Sequence, residues 1–278
     1  MVQIPAEQVV EAVRALALAG RWSAAEQLLC AVQDAAPPER AALAVAAADA
    51  AVDGDFWRRT TTAGPALERA AREVAAAGTG PQATRLGYDL DMLRLRQDYF
   101  AELFGPDGPR FGPDGRDMAV VDELAGRARR LREGAPDRGR AGQAGFWAGV
   151  IEDNLRGDSA AARPLFAAGV AAGEQSGDDL LASESLRHLG YLNHQAGDPE
   201  LAREQWQRAT VLRQRSGCVP LTLAQQLLIA EMAAADAADA ADAVRPQVEE
   251  IGRWAQALGL TVLTEQAGAL LGSLAGAG

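Results

Sequence analysis

The sequence predicts an all-α chain of stacked helical hairpins. Alanine, leucine, arginine and glutamate recur throughout its 278 residues, aromatics make up only 5%, and β-branched runs are scarce. Such side chains lose little rotamer freedom in a helix. Glycine followed by aspartate recurs between helical patterns, at Gly54-Asp55, Gly157-Asp158 and Gly197-Asp198, with Gly20 in a comparable place. The glycine tolerates the positive φ of a helix end, and the aspartate caps the free N–H groups of the next helix. The apolar residues also keep helical period. On a wheel of residues 181–196, Leu181, Ala182, Ser185, Leu186, Leu189, Leu192 and Ala196 share one arc.

Taken in order, helical patterns end at Gly20 and Gly54. The stretch FWRRTTTAGPALERA then loses the small-residue register, and Gly64-Pro65 is expected to interrupt its helix. Residues 79–142 read as an irregular helical insertion. It holds a long helix, PQATRLGYDLDMLRLRQDYFAELF, a loop over 105–117 and a further helix, RDMAVVDELAGRARRLREG. The loop carries GPDG twice, a pair of Pro-initiated turns rather than a phosphate cradle. Paired helices resume over 143–278, with the low-complexity bridge DAADAADA between two of them. The whole is one domain, 1–278, with N-terminal helical pairs in 1–78 and C-terminal pairs from 143 onward.

Charge narrows the function. With 38 acidic against 27 basic residues the formal charge is −11, which disfavours direct nucleic-acid binding. Every basic residue is arginine, so lysine Schiff-base chemistry and a phosphate-loop lysine are excluded, and no cofactor is implied. Cys30 and Cys218 lack metal spacing and fit a reducing compartment. The first residues carry Glu7 and Glu11 and no basic leader, and no long apolar run escapes a charge. The expectation is a cytoplasmic protein that does not enter a membrane.

Around Gly197 the pattern becomes specific. Leu189-Gly190 precedes it, and Ala202, Trp206 and Ala209 follow at offsets of five, nine and twelve. Around Gly157 the matching places hold Phe146, Ala162, Phe166 and Gly169; around Gly20 they hold Val9, Ala25, Leu29 and Val32. Gly54 follows Gly20 by 34 residues. Residues 5–60 and 143–216 thus resemble the tetratricopeptide repeat. The resemblance implies a right-handed α-α superhelix whose first helices line a concave groove, and a scaffold that binds a protein or peptide there. In that family's carboxylate clamp, Asn154 and Arg187 would serve, but Glu184 is acidic where a second cation is wanted.

The candidate partner-binding residues follow from the same register. Arg187, Tyr191 and His194 form one ridge at i, i+4, i+7, and Trp147, Ile151 and Asn154 occupy the equivalent ridge one hairpin earlier. The rival reading is a small-molecule-binding protein or enzyme, its pocket closed by the central segment. There His188 or His194 acts as general base, oriented by Glu184 or Asp153. No metal is expected: Glu184 and His188 share a face, but His194 points about 120° away. One basic island stands apart, with Arg127, Arg129, Arg130, Arg132, Arg138 and Arg140; it reads as a solvated helix end.

Overall fold

The computed structural model describes residues 4–32, 35–105, 108–236 and 241–276, and among these the chain is all-α apart from one minimal strand pair. The helices are α1 (Ala6–Leu18), α2 (Trp22–Cys30), α3 (Pro37–Arg58), α4 (Ala63–Ala76), α5 (Pro81–Leu103), α6 (Met118–Glu133), α7 (Arg138–Val150), α8 (Ser159–Ser176), α9 (Asp179–Gln195), α10 (Pro199–Arg215), α11 (Val219–Asp236), α12 (Ala241–Leu258) and α13 (Thr261–Gly276). Helix α7 runs on into a π-helical turn, Ile151–Leu155. In the connection after α5, β1 (Phe104–Gly105) pairs antiparallel with β2 (Gly108–Pro109). The middle of the DAADAADA bridge, residues 237–240, lies outside the described residues.

The expected Gly-Asp turns are present at two of the three sites. Gly157 and Gly197 adopt φ of 71° and 84°. Asp158 and Asp198 then accept hydrogen bonds from Ala161 and Leu201 backbone N–H groups, at 2.9 and 3.1 Å. Gly54 is a correction: it is buried inside α3, and the left-handed residue that ends the helix is Arg59, with φ 55°. Asp55 still caps the following helix, but at longer reach. Its carboxylate accepts from Thr60 Oγ1 (2.5 Å), Thr62 Oγ1 (2.8 Å) and the Ala63 N–H (2.7 Å). Gly64-Pro65 therefore lies in the first turn of α4, where a missing proline N–H costs nothing, and does not interrupt it.

Packing within a hairpin is tightest where small residues meet rings. A Cβ on Gly190 would lie 2.4 Å from Trp206 Nε1, and one on Gly149 2.7 Å from Phe166 Cε1. Those glycines let α9 approach α10, and α7 approach α8, across an indole or a phenyl ring.

Consecutive hairpins pack side by side, and the last meets the first. Helix α13 packs on α3, and Arg59 Nη1 is 2.8 Å from Glu265 Oε2. One hydrophobic core joins Val9, Val13 and Trp22 to Leu227, Val248, Ile251 and Leu263. The succession of helices thereby closes on itself around a central cavity. A second core runs from Leu95 and Tyr99 through Val121 and Phe146 to Phe166 and Leu189, joining the middle hairpins.

Candidate functional site

The central cavity has a volume of about 1600 Å³, and the first helix of every hairpin contributes to its wall. Helix α3 supplies Asp49, Asp53 and Phe56; α5 supplies Arg96, Tyr99 and Phe100; α7 and its π turn supply Trp147, Asp153 and Asn154. From α9 come Glu184, Arg187, His188 and Tyr191, and from α11 Leu228 and Glu231. Pro109, Phe111 and Gly112 of the central connection also reach it.

On the α3–α5 side the charges are paired. Arg96 Nη1 is 2.7 Å from Asp49 Oδ1, its Nη2 binds Asp53, and its guanidinium lies 5.6 Å from the Trp147 ring centroid. Burial raises the Asp53 carboxyl to about 6 against the pull of Arg96, with Asp49 and Glu184 adding to the rise. Across the gap to α7, Arg140 grips Asp89 through two bonds of 2.6 and 2.7 Å and also bonds Asp137 at 2.7 Å. That accounts for one member of the basic island. Arg127 pairs with Asp98 at 2.5 Å, Arg130 with Glu123 at 2.9 Å, and Arg138 bonds Gln175 at 2.6 Å.

From the π turn after α7, Asn154 Nδ2 donates to Tyr99 Oη of α5 at 2.6 Å, and burial pushes the Tyr99 phenol up. His188 Nδ1 lies 3.6 Å from Asp153 Oδ2, and its ring stacks on Phe166 at 4.6 Å. Burial works to raise Asp153, but His188 and the Ser159 hydroxyl (2.9 Å) together hold it below the usual carboxylate range. Ser159 and His188 both face Asp153, so the aspartate sits between them. A nucleophilic triad needs the histidine in the middle. The arrangement orients an imidazole and does not activate the serine.

No protein-family model matches the chain, and no curated protein matches it. Among the described residues no group of three or more His, Cys, Asp and Glu side chains is placed to hold a metal ion.

Of the two ridges read from the sequence, the structure brings Trp147, Asn154, Arg187 and Tyr191 to the cavity, with Glu184, His188 and Asp153. Two residues lie elsewhere. Ile151 is fully buried in the core that joins the middle hairpins, and His194 tilts against Trp206 at 5.7 Å, outside the cavity wall. The inward face of α9 is centred on Glu184, Tyr191 and Gln195, which leaves His194 about 80° to one side. On α7 it runs through Gln143, Phe146, Val150 and Asp153, so Ile151 falls on the flank. Asn154 is committed to Tyr99 and is not a free clamp residue. Sequence reasoning missed Asp49, Asp53 and Arg213. The first two owe their place to Arg96, a partner distant in sequence, and Arg213 belongs to a second helix, where an inward-reaching side chain was not expected.

Proposed function

We propose that the protein is a helical-repeat binding protein that takes an extended peptide segment of a partner into its central cavity. The observation that carries this reading is the cavity's size and lining. At about 1600 Å³ it exceeds the ~300–1,000 Å³ usual for small-molecule pockets. Rings (Phe56, Phe100, Trp147, Tyr191) alternate around it with charged and amide groups, a lining suited to successive side chains of a peptide. The tetratricopeptide-like superhelix belongs to the same reading, supported by the glycine–ring contacts within hairpins. So does a cytoplasmic setting, supported by two free cysteines. No helix among the described residues is long and apolar enough to cross a membrane.

The test is capture from lysate followed by chemical cross-linking and peptide mapping. Cross-links from a partner segment to cavity residues are expected, lost in Trp147→Ala/Tyr191→Ala and kept in His194→Ala, whose ring lies outside the wall. Equal cross-linking by all three proteins removes the reading.

A second reading has one observation in its favour. His188, oriented by Asp153 at 3.6 Å and facing the cavity, has the placement of a general base acting on a small molecule. In that reading a co-purifying metabolite replaces the peptide, and His188→Gln abolishes its turnover without releasing it.

A further inference from the structure

We propose that Phe111 and the ring-lined wall beside it form a subsite for one aromatic side chain of the bound ligand; the inference rests on the cavity being a binding site and names the side chain it selects. Aromatic residues are only 5% of the sequence, yet they gather on one arc of the cavity. Phe56 packs on Phe100 with centroids 4.6 Å apart, and Phe100 on Trp147 at 5.7 Å. Trp147 in turn meets Tyr99 at 5.4 Å and Phe146 at 5.5 Å. Five of the six phenylalanines are taken up in such ring contacts. Phe111 differs. Among the described residues it meets no other ring, and it is 66% exposed although it lines the cavity.

Exposure alone would mean little, because single apolar residues are common on protein surfaces. The way Phe111 is mounted sets it apart. Gly112, with φ 84°, turns the chain directly after it. Both flanking residues are bonded at both backbone groups. The Arg110 N–H donates to the Leu103 carbonyl at 2.8 Å, and the Gly112 N–H to the Asn154 carbonyl at 2.8 Å. The two carbonyls accept from one guanidinium: Arg116 Nη2 bonds that of Arg110, and Arg116 Nε that of Gly112 at 2.8 Å. The Arg116 side chain is itself fully buried. An exposed phenyl ring forgoes the burial free energy of a large apolar side chain, and this backbone holds it where the core cannot take it in. A ring fixed in that way is preorganised, so a guest gains contact area without the cost of ordering a loop.

The choice of an aromatic guest follows from the wall nearby. The Asn154 carbonyl that holds Gly112 belongs to the residue whose side chain donates to Tyr99 Oη at 2.6 Å, so one residue ties Phe111 to the Tyr99–Trp147 end of the ring wall. A guest ring there continues a succession of edge-to-face contacts, an attraction that an aliphatic side chain does not share. A cationic guest is disfavoured, because the Arg96 guanidinium already lies 5.6 Å from the Trp147 ring centroid.

Ligand-observed saturation-transfer NMR on the full chain tests this with three blocked amino acids: N-acetylphenylalaninamide, N-acetylleucinamide and N-acetylalaninamide. The phenylalanine probe is expected to bind best, the leucine probe about fivefold more weakly and the alanine probe weakest. Phe111→Ala is expected to weaken the phenylalanine probe about fivefold or more, with Phe111→Trp retaining it. The melting temperature should not change in either variant, because the ring stands largely in water. Equal binding of the three probes, or a phenylalanine preference untouched by Phe111→Ala, overturns the proposal. So does a dimer in sedimentation that Phe111→Ala dissolves, since the ring then belongs to an interface between copies. Peptide cross-links to the cavity that persist while Phe111→Ala changes no probe's binding overturn the subsite alone. A Phe111-dependent phenylalanine response without peptide cross-links overturns the peptide reading and leaves the subsite standing.

Discussion

The two sides of the cavity treat arginine in opposite ways. On the α3–α5 side Arg96 pairs with two carboxylates, Asp49 and Asp53, and lies over Trp147, with its Nε left unpartnered. On the α9–α11 side Arg187 and Arg213 are held by carbonyls, a hydroxyl and an amide; among the described residues no carboxylate lies within ion-pair distance, and Glu184 acts on both from farther off. A carboxylate-paired cation fastens neighbouring helices and contributes to stability. A buried one without such a pair contributes less. The difference is one of pairing: carboxylates fasten one wall, and backbone and amide groups hold the cations of the other.

The sharpest way to break that contrast is to remove the carboxylate-paired cation. Arg96→Ala strands two carboxylates one turn apart on the same face of α3, and we expect a loss of about 3 kcal/mol in urea unfolding. A loss below about 1 kcal/mol would mean that cavity water already screens Asp49 and Asp53, and the wall would not be held by this charge cluster.

Next in size is a change that moves the α9 wall without touching its charges. Gly190→Ala places a methyl group 2.4 Å from Trp206 Nε1, which itself donates to the Arg187 carbonyl at 3.1 Å. The helix gains about 1 kcal/mol from replacing glycine, but overpacking against a rigid ring costs more, leaving a net loss of about 1–2 kcal/mol in the same unfolding measurement. A stabilised variant would show that α9 and α10 have room to spare.

The same contacts explain what the sequence disclosed. Gly190, Trp206, Ala202 and Ala209 are legible because small residues and a ring at fixed offsets answer one demand, the close approach of two helices. Asp158 and Asp198 are legible because capping is local. Ridges are less so. The sequence shows which arc of α9 is polar, but not which part of that arc faces the cavity; that depends on how α8, α10 and α11 pack around it. Tyr191 and His194 therefore look equivalent in the text and part company in space. Ile151 is missed for a related reason: an apolar residue beside a ridge is free to join the core when the helix turns by part of a step. Closure of the chain on itself was not legible at all, since Gly20 against Pro220 and Leu258 is a contact between distant segments with no local signature.

A smaller effect comes from acidity. Asp53 is raised to about 6 in the folded protein, from an ordinary value of 3.8, so folding favours its protonated form. Its contribution is then fully present below pH 3.8 and is lost as pH rises through 6. Because the side chain is 35% exposed, solvent screening reduces the effect to about 1 kcal/mol. Unfolding midpoints measured from pH 4 to 7 should fall across that window in the wild type and stay flatter in Asp53→Asn. The opposite slope would place Asp53 under the control of Arg96 rather than of burial.

The smallest expected change is the most telling for the comparison. Arg187→Gln, without ligand, removes one hydrogen bond to the Ala224 carbonyl and at the same time relieves repulsion with Arg213. These oppose each other, so the stability of the ligand-free protein should stay within about 1 kcal/mol of wild type. Set beside the loss expected for Arg96→Ala, that near-neutrality is what separates a cation held by neutral groups from one paired with carboxylates. If Arg187→Gln proves as damaging as Arg96→Ala, then Glu184 and Glu231 already neutralise the α9–α11 wall from beyond ion-pair distance, and both walls do the same structural work.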